Sequence, residues 1–142
     1  MRTDLPAAVD LVIIGAGQAG LAAAGELVHR GLRPGIDFLL LDAEEGPGGA
    51  WRHRWESLTV GRAHRISDLP HLPAGPLDEH RHSSQVVSEY YGRYEEAFAL
   101  AVRRPVEVLA VRSSLDPAPG LVGAPAPDPA PGTLGAPLRR DT

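Results

Sequence analysis

Residues 9–20 read VDLVIIGAGQAG, an apolar run that breaks into three glycines, Gly15, Gly17 and Gly20. Val9 to Ile14 is short and nearly continuous in its apolar residues, the pattern of a strand buried on both faces of a parallel sheet. A helix is predicted from the glycines to about Arg30, with Ala16, Gly20, Ala23 and Leu27 as its apolar face at spacings of three and four. These residues are small, so the helix can lie close to the sheet. Gly31 suits the helix end, because glycine accepts left-handed backbone beyond the last turn. A second apolar strand, Asp37 to Leu41 (DFLLL), ends at Asp42. Two parallel strands joined by one helix make a right-handed βαβ unit.

The order strand, glycine turn, helix, strand, acid is that of a dinucleotide-binding fingerprint. A lone GxGxxG would serve an ordinary turn equally well. In this order, Gly15 permits the sharp exit from the strand, Gly17 lets a pyrophosphate approach the backbone, and Gly20 lets helix and strand pack closely. The free amides of the helix start, Gln18 and Ala19 among them, face the phosphates with the positive end of the helix dipole. Asp42 lies 22 residues beyond Gly20. Its carboxylate, with Ala43 beside it, is placed to accept hydrogen bonds from ribose hydroxyls and to repel a 2′-phosphate. FAD or NAD is therefore expected over NADP at this site.

Past the second strand the run EEGPGGAW, residues 44–51, forms a glycine-rich turn. Residues 52 to 82 hold little periodicity and are predicted as loops and short turns. Ser83 and Ser84 are predicted N-caps. From Gln85 a helix carries Val86, Tyr90, Tyr94 and Phe98 at every fourth position, with Val87 and Tyr91 beside them, most simply as core. Pro105 forbids helix and introduces Val106, Val108 and Val111 as a third strand. Residues 115 to 142 contain half of the prolines, with Gly and Ala for most of the rest. Such a segment cannot bury enough apolar area to offset its ordering entropy, and is predicted to be disordered.

The element Pro47-Gly48-Gly49-Ala50-Trp51-Arg52 resembles the GGxW element of flavin-containing and Baeyer–Villiger-type monooxygenases. The runs GAGQAGL, LLLDAEEGPGGAWR, RWESL, SDLP and PVEVLAV are similar to bacterial members of that group in sequence and order. The resemblance spans roughly residues 8 to 114. It implies an α/β fold: a partial Rossmann-like FAD-binding domain with a parallel sheet over residues 1–114, truncated, and a tail over 115–142. It implies that Gly48 and Gly49 offer amides to the FAD phosphate or ribityl chain. Trp51 and Arg52 would lie on the flavin side, and the Val108 backbone would meet the adenine. In a complete member NADPH reduces the FAD and a small organic substrate is oxygenated.

Features that such a family also carries are missing from the sequence. After Val111 there is no ATG-like turn and no second GxGxxG for NADPH, and the Baeyer–Villiger fingerprint is absent. The turn into Pro/Ala/Gly repeats reads as truncation or a shifted reading frame. With strand order third, second, first, the edge of Leu11–Ile14 is expected to be unpaired and apolar, hence prone to aggregation. No side chain here is assigned as a catalytic acid or base. Two alternatives stay open: another FAD- or NAD-dependent oxidoreductase on the same βαβ unit, or a non-enzymatic nucleotide-binding remnant.

Bulk composition narrows the partners. A net charge of −4 over 142 residues argues against nucleic acid, which needs a concentrated positive face. The absence of cysteine excludes disulfides and thiolate metal sites. No apolar run reaches the roughly 20 residues that span a bilayer, and a cytoplasmic protein without membrane partners is expected. His64, His71, His80 and His82 lie near Asp68, Asp78 and Glu79, but no HExxH motif occurs, so solvated histidines rather than a metal site are expected.

Overall fold

The computed structural model describes residues 5–63 and 65–113. The first of two compact units, Met1–Leu109, carries strand β1 (Leu11–Ile14), helix α1 (Gln18–His29), strand β2 (Phe38–Leu41) and helix α2 (Ser83–Ala97). Short 3-10 turns occupy Gly49–His53 and Val60–Arg62 between β2 and α2. Of the second unit, Ala110–Thr142, the described residues 110–113 are exposed and irregular. The Pro/Ala/Gly-rich segment 115–142 and His64 lie outside the described residues.

β1 and β2 pair in parallel, from Leu11 opposite Phe38 to Ile14 opposite Leu41. The predicted βαβ unit is thus formed. α1 ends as the sequence suggests: Arg30 is the C-cap, Gly31 takes φ +90°, and the amides of Gly31 and Leu32 donate to the carbonyls of Val28 and Leu27. These two bonds satisfy carbonyls that the helix end would otherwise leave open. The entry to β2 is fixed by Arg33, whose backbone amide, Nε and Nη2 all donate to the Asp37 carboxylate at 2.7–2.9 Å.

β2 is buried along its whole length, but β1 is not. Leu11, Val12 and Ile14 are 41%, 46% and 54% exposed. Burial of β1 on both faces was the expectation, and it fails for a reason of position. β2 has chain on both sides, because Arg103 forms a parallel bridge to Leu41. Among the described residues nothing pairs with the outer edge of β1. Among the described residues that outer edge is thus open and apolar.

The buried stripe of α1 is wider than expected. Leu21, Ala24 and Gly25 are buried, with Val28 packed against the core, whereas Ala23 is exposed. The predicted Ala16 and Leu27 also belong to the core and Gly20 packs tightly on Gly15, so only Ala23 of the predicted face lies outside, and burial extends to one further side of the helix. That further side faces α2. Tyr94 presses so close to Gly25 that an added Cβ there would fall on the Tyr94 hydroxyl. The helix is shaped by a helical neighbour as well as by the sheet.

α2 buries Val86, Val87, Tyr90, Tyr91 and Tyr94, the predicted stripe. Each fully buried aliphatic side chain stabilises by about 1.5–3 kcal/mol. The tyrosines also organise the loop beneath them. Tyr90 Oη donates to the carbonyl of Leu72 and accepts from the amide of Leu69, while Tyr94 Oη donates to the carbonyl of Pro70. Burial pushes the ionisation of all three tyrosines upward. The aperiodic stretch 52–82 is thereby held without a regular element of its own.

Two further expectations are corrected. Ser83 and Ser84 do not cap α2. The helix starts at Ser83 with His82 as N-cap and no side-chain cap bond. The buried Ser83 hydroxyl donates instead to the carbonyl of Leu58, 2.8 Å away, tying the loop to the helix. The third strand over Val106–Val111 does not form among the described residues. Pairing beside β2 occurs earlier, where Arg103 donates to Leu40 and accepts from Asp42, and Val106 donates to Asp42. Leu109 and Val111 are left 86% and 78% exposed.

Candidate functional site

At the end of the parallel pair, the amide of Gly15 donates to the carbonyl of Leu41 at 2.7 Å. The glycine turn therefore begins beside the residue that precedes Asp42. Gly17 is the N-cap of α1, which has no side-chain cap and no acidic residue in its first turn. The amides that open the helix thus have neither a side-chain acceptor nor a negative charge competing for them. A Cβ built on Gly15 or Gly17 would meet nothing within 4 Å, so open space lies beside the turn. At Gly20, by contrast, a Cβ would fall on the Gly15 carbonyl oxygen and reach 3.4 Å from Ile13 Cγ2. Gly20 is the position where helix and strand meet most closely. Gln18 and Ala19 are exposed at the start of α1.

The second glycine pair comes to the same place. Gly48 and Gly49 are buried and take φ +124° and +52°. A Cβ on Gly49 would stand 2.9 Å from Gly17 Cα and 3.6 Å from Gly17 N. Two segments 32 positions apart are in backbone contact at the helix start. Trp51, in the 3-10 turn after this pair, is half-buried and packs against the core cluster, with the Arg54 guanidinium 5.7 Å from its ring centre. Arg52 Nη1 donates to the carbonyl of Pro47 at 3.1 Å, and its Nε lies 3.6 Å from Glu44. His53 Nε2 also contacts Glu44, at 2.6 Å. A hollow of about 280 Å³ lined by Arg52, Ser84, Gln85 and Ser88 adjoins this element. A larger groove, about 950 Å³, lies elsewhere, between Pro73–Asp78 and α2.

Asp42 is buried at 6% exposure. Its Oδ2 accepts from Arg104 Nε at 2.8 Å, and the other two Arg104 nitrogens donate to both oxygens of Glu95 on α2, each at 2.7 Å. Burial works to lower the Arg104 pKa, but the hydrogen bonds to Glu95 and Asp42 outweigh it and hold the guanidinium above its usual value. Ala43 is exposed beside Asp42, and Val108 is half-buried in irregular chain beyond the bridge. The structure thus gathers Gly15, Gly17, Gly20, Asp42, Gly48 and Gly49 at the C-terminal ends of the strands, where open α/β sheets bind ligands. It does not place Val108 in a strand.

Arg104, Glu95 and Glu44 were not among the residues singled out from sequence. Among the described residues no group of three or more His, Cys, Asp or Glu could hold a metal ion, and no helix is long and apolar enough to cross a membrane.

The comparisons with known proteins concern the same segment. The model of a family described as an NAD(P)-binding Rossmann-like domain matches residues 13–91. An uncharacterized oxidoreductase CzcO of Bacillus velezensis is 28% identical over 106 residues, covering 72% of this chain and 29% of that protein. An FAD-dependent monooxygenase of Pyrenophora dematioidea is 33% identical over 99 residues, covering 66% of this chain and 18% of that protein. A solved flavin-containing monooxygenase of Stenotrophomonas maltophilia superposes with a TM-score of 0.58 at 37% identity, over 74% of this chain and 31% of that one. The chain spans less than a third of the length of each of these proteins.

Proposed function

We propose, from the premise that this chain belongs to the NAD(P)-binding Rossmann-like domain family and is a partial member of the flavin monooxygenase superfamily, that it is the part which holds FAD in an NAD(P)H-dependent monooxygenase. The observation that carries this reading is the contact of Gly49 with Gly17 beside the uncapped start of α1. A plain NAD site needs only the first glycine turn. A second glycine pair brought against it supplies further backbone amides for a longer ligand.

The residues divide the work by position. Gly15, Gly17, Gln18, Ala19 and Gly20 receive the pyrophosphate, where free amides and the helix dipole favour anionic oxygen. Asp42, with Ala43 alongside, accepts the ribose hydroxyls. Gly48 and Gly49 reach the phosphate or ribityl chain, Trp51 and Arg52 flank the flavin side, and the Val108 backbone meets the adenine. When bound, FAD supplies redox chemistry with NADPH and dioxygen for oxygenation of a small organic substrate. The chain itself binds and orients the cofactor, and the buried Gly48–Gly49 turn keeps water from one side of it. The cytoplasm supplies the NADPH that this activity needs. Neither nucleic acid nor a membrane is a partner in this reading.

The isolated chain is expected to bind FAD weakly, because the outer edge of β1 is open among the described residues. Equilibrium titration of the chain with FAD, NAD and NADP tests the assignment. FAD should bind tighter than NAD, and NADP weakest, with Gly17→Val abolishing all three. A chain that binds NAD more tightly than FAD contradicts it.

A further inference from the structure

We propose that Arg104 is a positioning residue: it aims the Asp42 carboxylate at the ribose of the bound dinucleotide, while Glu95 anchors Arg104 from α2. The inference rests on the reading of Asp42 as the ribose acceptor. Its basis is the arrangement of the three charged side chains. Asp42, Arg104 and Glu95 are only 8%, 11% and 14% exposed in their side chains. Arg104 spends Nε on Asp42 Oδ2 and both terminal nitrogens on Glu95. The contact engages one carboxylate oxygen of Asp42, so Oδ1 stands outside it.

The backbone of Asp42 is fixed by the same segment. Its amide donates to the carbonyl of Arg103, and its carbonyl accepts from Val106, at 3.0 and 2.8 Å. Main chain and side chain of Asp42 are both tied to residues 103–106 before any ligand arrives. A carboxylate held in one rotamer does not lose rotamer freedom on binding, which is how preorganisation raises affinity. Two carboxylates around one guanidinium leave a net charge of −1, so Asp42 remains a strong acceptor for a hydroxyl.

A blocking role for Arg104 is the opposite reading of the same contact. It is disfavoured because Arg104, held by its two bonds to Glu95, engages Oδ2 alone, so a ribose hydroxyl can bond Oδ1 without displacing the guanidinium.

The two roles differ in what the ribose hydroxyl is worth. The measurement is the affinity of the full chain for ADP and for 2′-deoxy-ADP, by titration followed in amide NMR spectra at millimolar ligand. Partial unfolding scales both affinities by the same factor, so their ratio is unmoved by a merely structural defect. The wild-type chain should prefer ADP by about tenfold, the scale of a hydrogen bond to a charged group. Arg104→Met should bring the ratio to within about twofold of one, and Arg104→Lys should restore part of the preference. Glu95→Gln, which keeps the shape of the anchor, should give an intermediate ratio and serves if Arg104→Met does not fold. An unchanged ratio in Arg104→Met or Glu95→Gln, or tighter ADP binding by Arg104→Met, overturns the proposal. If Asp42→Asn itself leaves the wild-type ratio unchanged, or the wild-type chain shows no ADP binding, the ribose reading falls and the proposal with it.

Discussion

Gly49 meets Gly17 backbone to backbone, with room for no side chain between them. A Cβ at position 49 would need to move the start of α1 by several tenths of an ångström, in a residue already at φ +52°. Gly49→Ala is therefore expected to destabilise the chain by about 1–3 kcal/mol, from left-handed backbone and overpacking together. Urea unfolding should show a lowered midpoint with an unchanged slope. A midpoint within error of the wild type would mean that the contact is not tight.

The packing of Tyr94 against α1 gives a paired prediction. Tyr94→Phe removes the hydroxyl that donates to the Pro70 carbonyl and should cost about 1 kcal/mol. Gly25→Ala inserts a methyl where that hydroxyl sits and should cost about 1–3 kcal/mol. The double variant should lose less than the sum, because the phenylalanine leaves space for the methyl. Strict additivity in thermal or urea unfolding would show that the two residues do not share the space.

Much of the fold was legible because its signals are local. The apolar runs at Leu11–Ile14 and Phe38–Leu41, the glycines between them and the four-residue spacing of Val86, Tyr90 and Tyr94 each report on near neighbours in sequence. What an apolar run does not report is which elements cover it, so β1 reads as buried and lies exposed. The side of α1 that faces α2 was not legible for the same reason, since Tyr94 sits 69 positions from Gly25. Of the site, the glycines and Asp42 carry a spacing rule, but Arg104 pairs with Asp42 across 62 positions and has none. Ser83 misled because a serine before a helix has the signature of a cap whether its hydroxyl turns to its own helix or to Leu58.

The edge of β1 that is unpaired among the described residues predicts where one chain would associate with another. Val12 is 46% exposed there. Val12→Lys places a charge on the edge, which discourages a second chain from pairing with it. Light scattering at fixed concentration should fall markedly for this variant, with little change in Tm. Equal scattering from wild type and variant would place the association surface elsewhere.

Asp37 offers a titration with a definite direction. The side-chain and backbone hydrogen bonds from Arg33 lower its pKa from 3.8 to about 2. A carboxylate depressed in the folded state adds stability above its unfolded pKa and loses it as pH falls through the folded value. The contribution of this turn should thus be complete above about pH 4 and fade toward about pH 2. An NMR titration of the Asp37 carboxyl carbon should give a midpoint near 2 that rises in Arg33→Ala. A midpoint near 3.8 in the wild type would mean that solvent has opened the pair.

In the proposed site the amides after Ile14, the acid at position 42 and the Gly48–Gly49 pair grip one dinucleotide. The most direct measurement is a titration of the isotopically labelled chain with FAD, read amide by amide. Gly15, Gly17, Gln18, Gly20, Asp42, Gly48 and Gly49 should shift together along one binding curve, and Asp42→Ala should weaken that curve. Shifts confined to other residues, with the glycine amides unmoved at saturating FAD, would contradict that site.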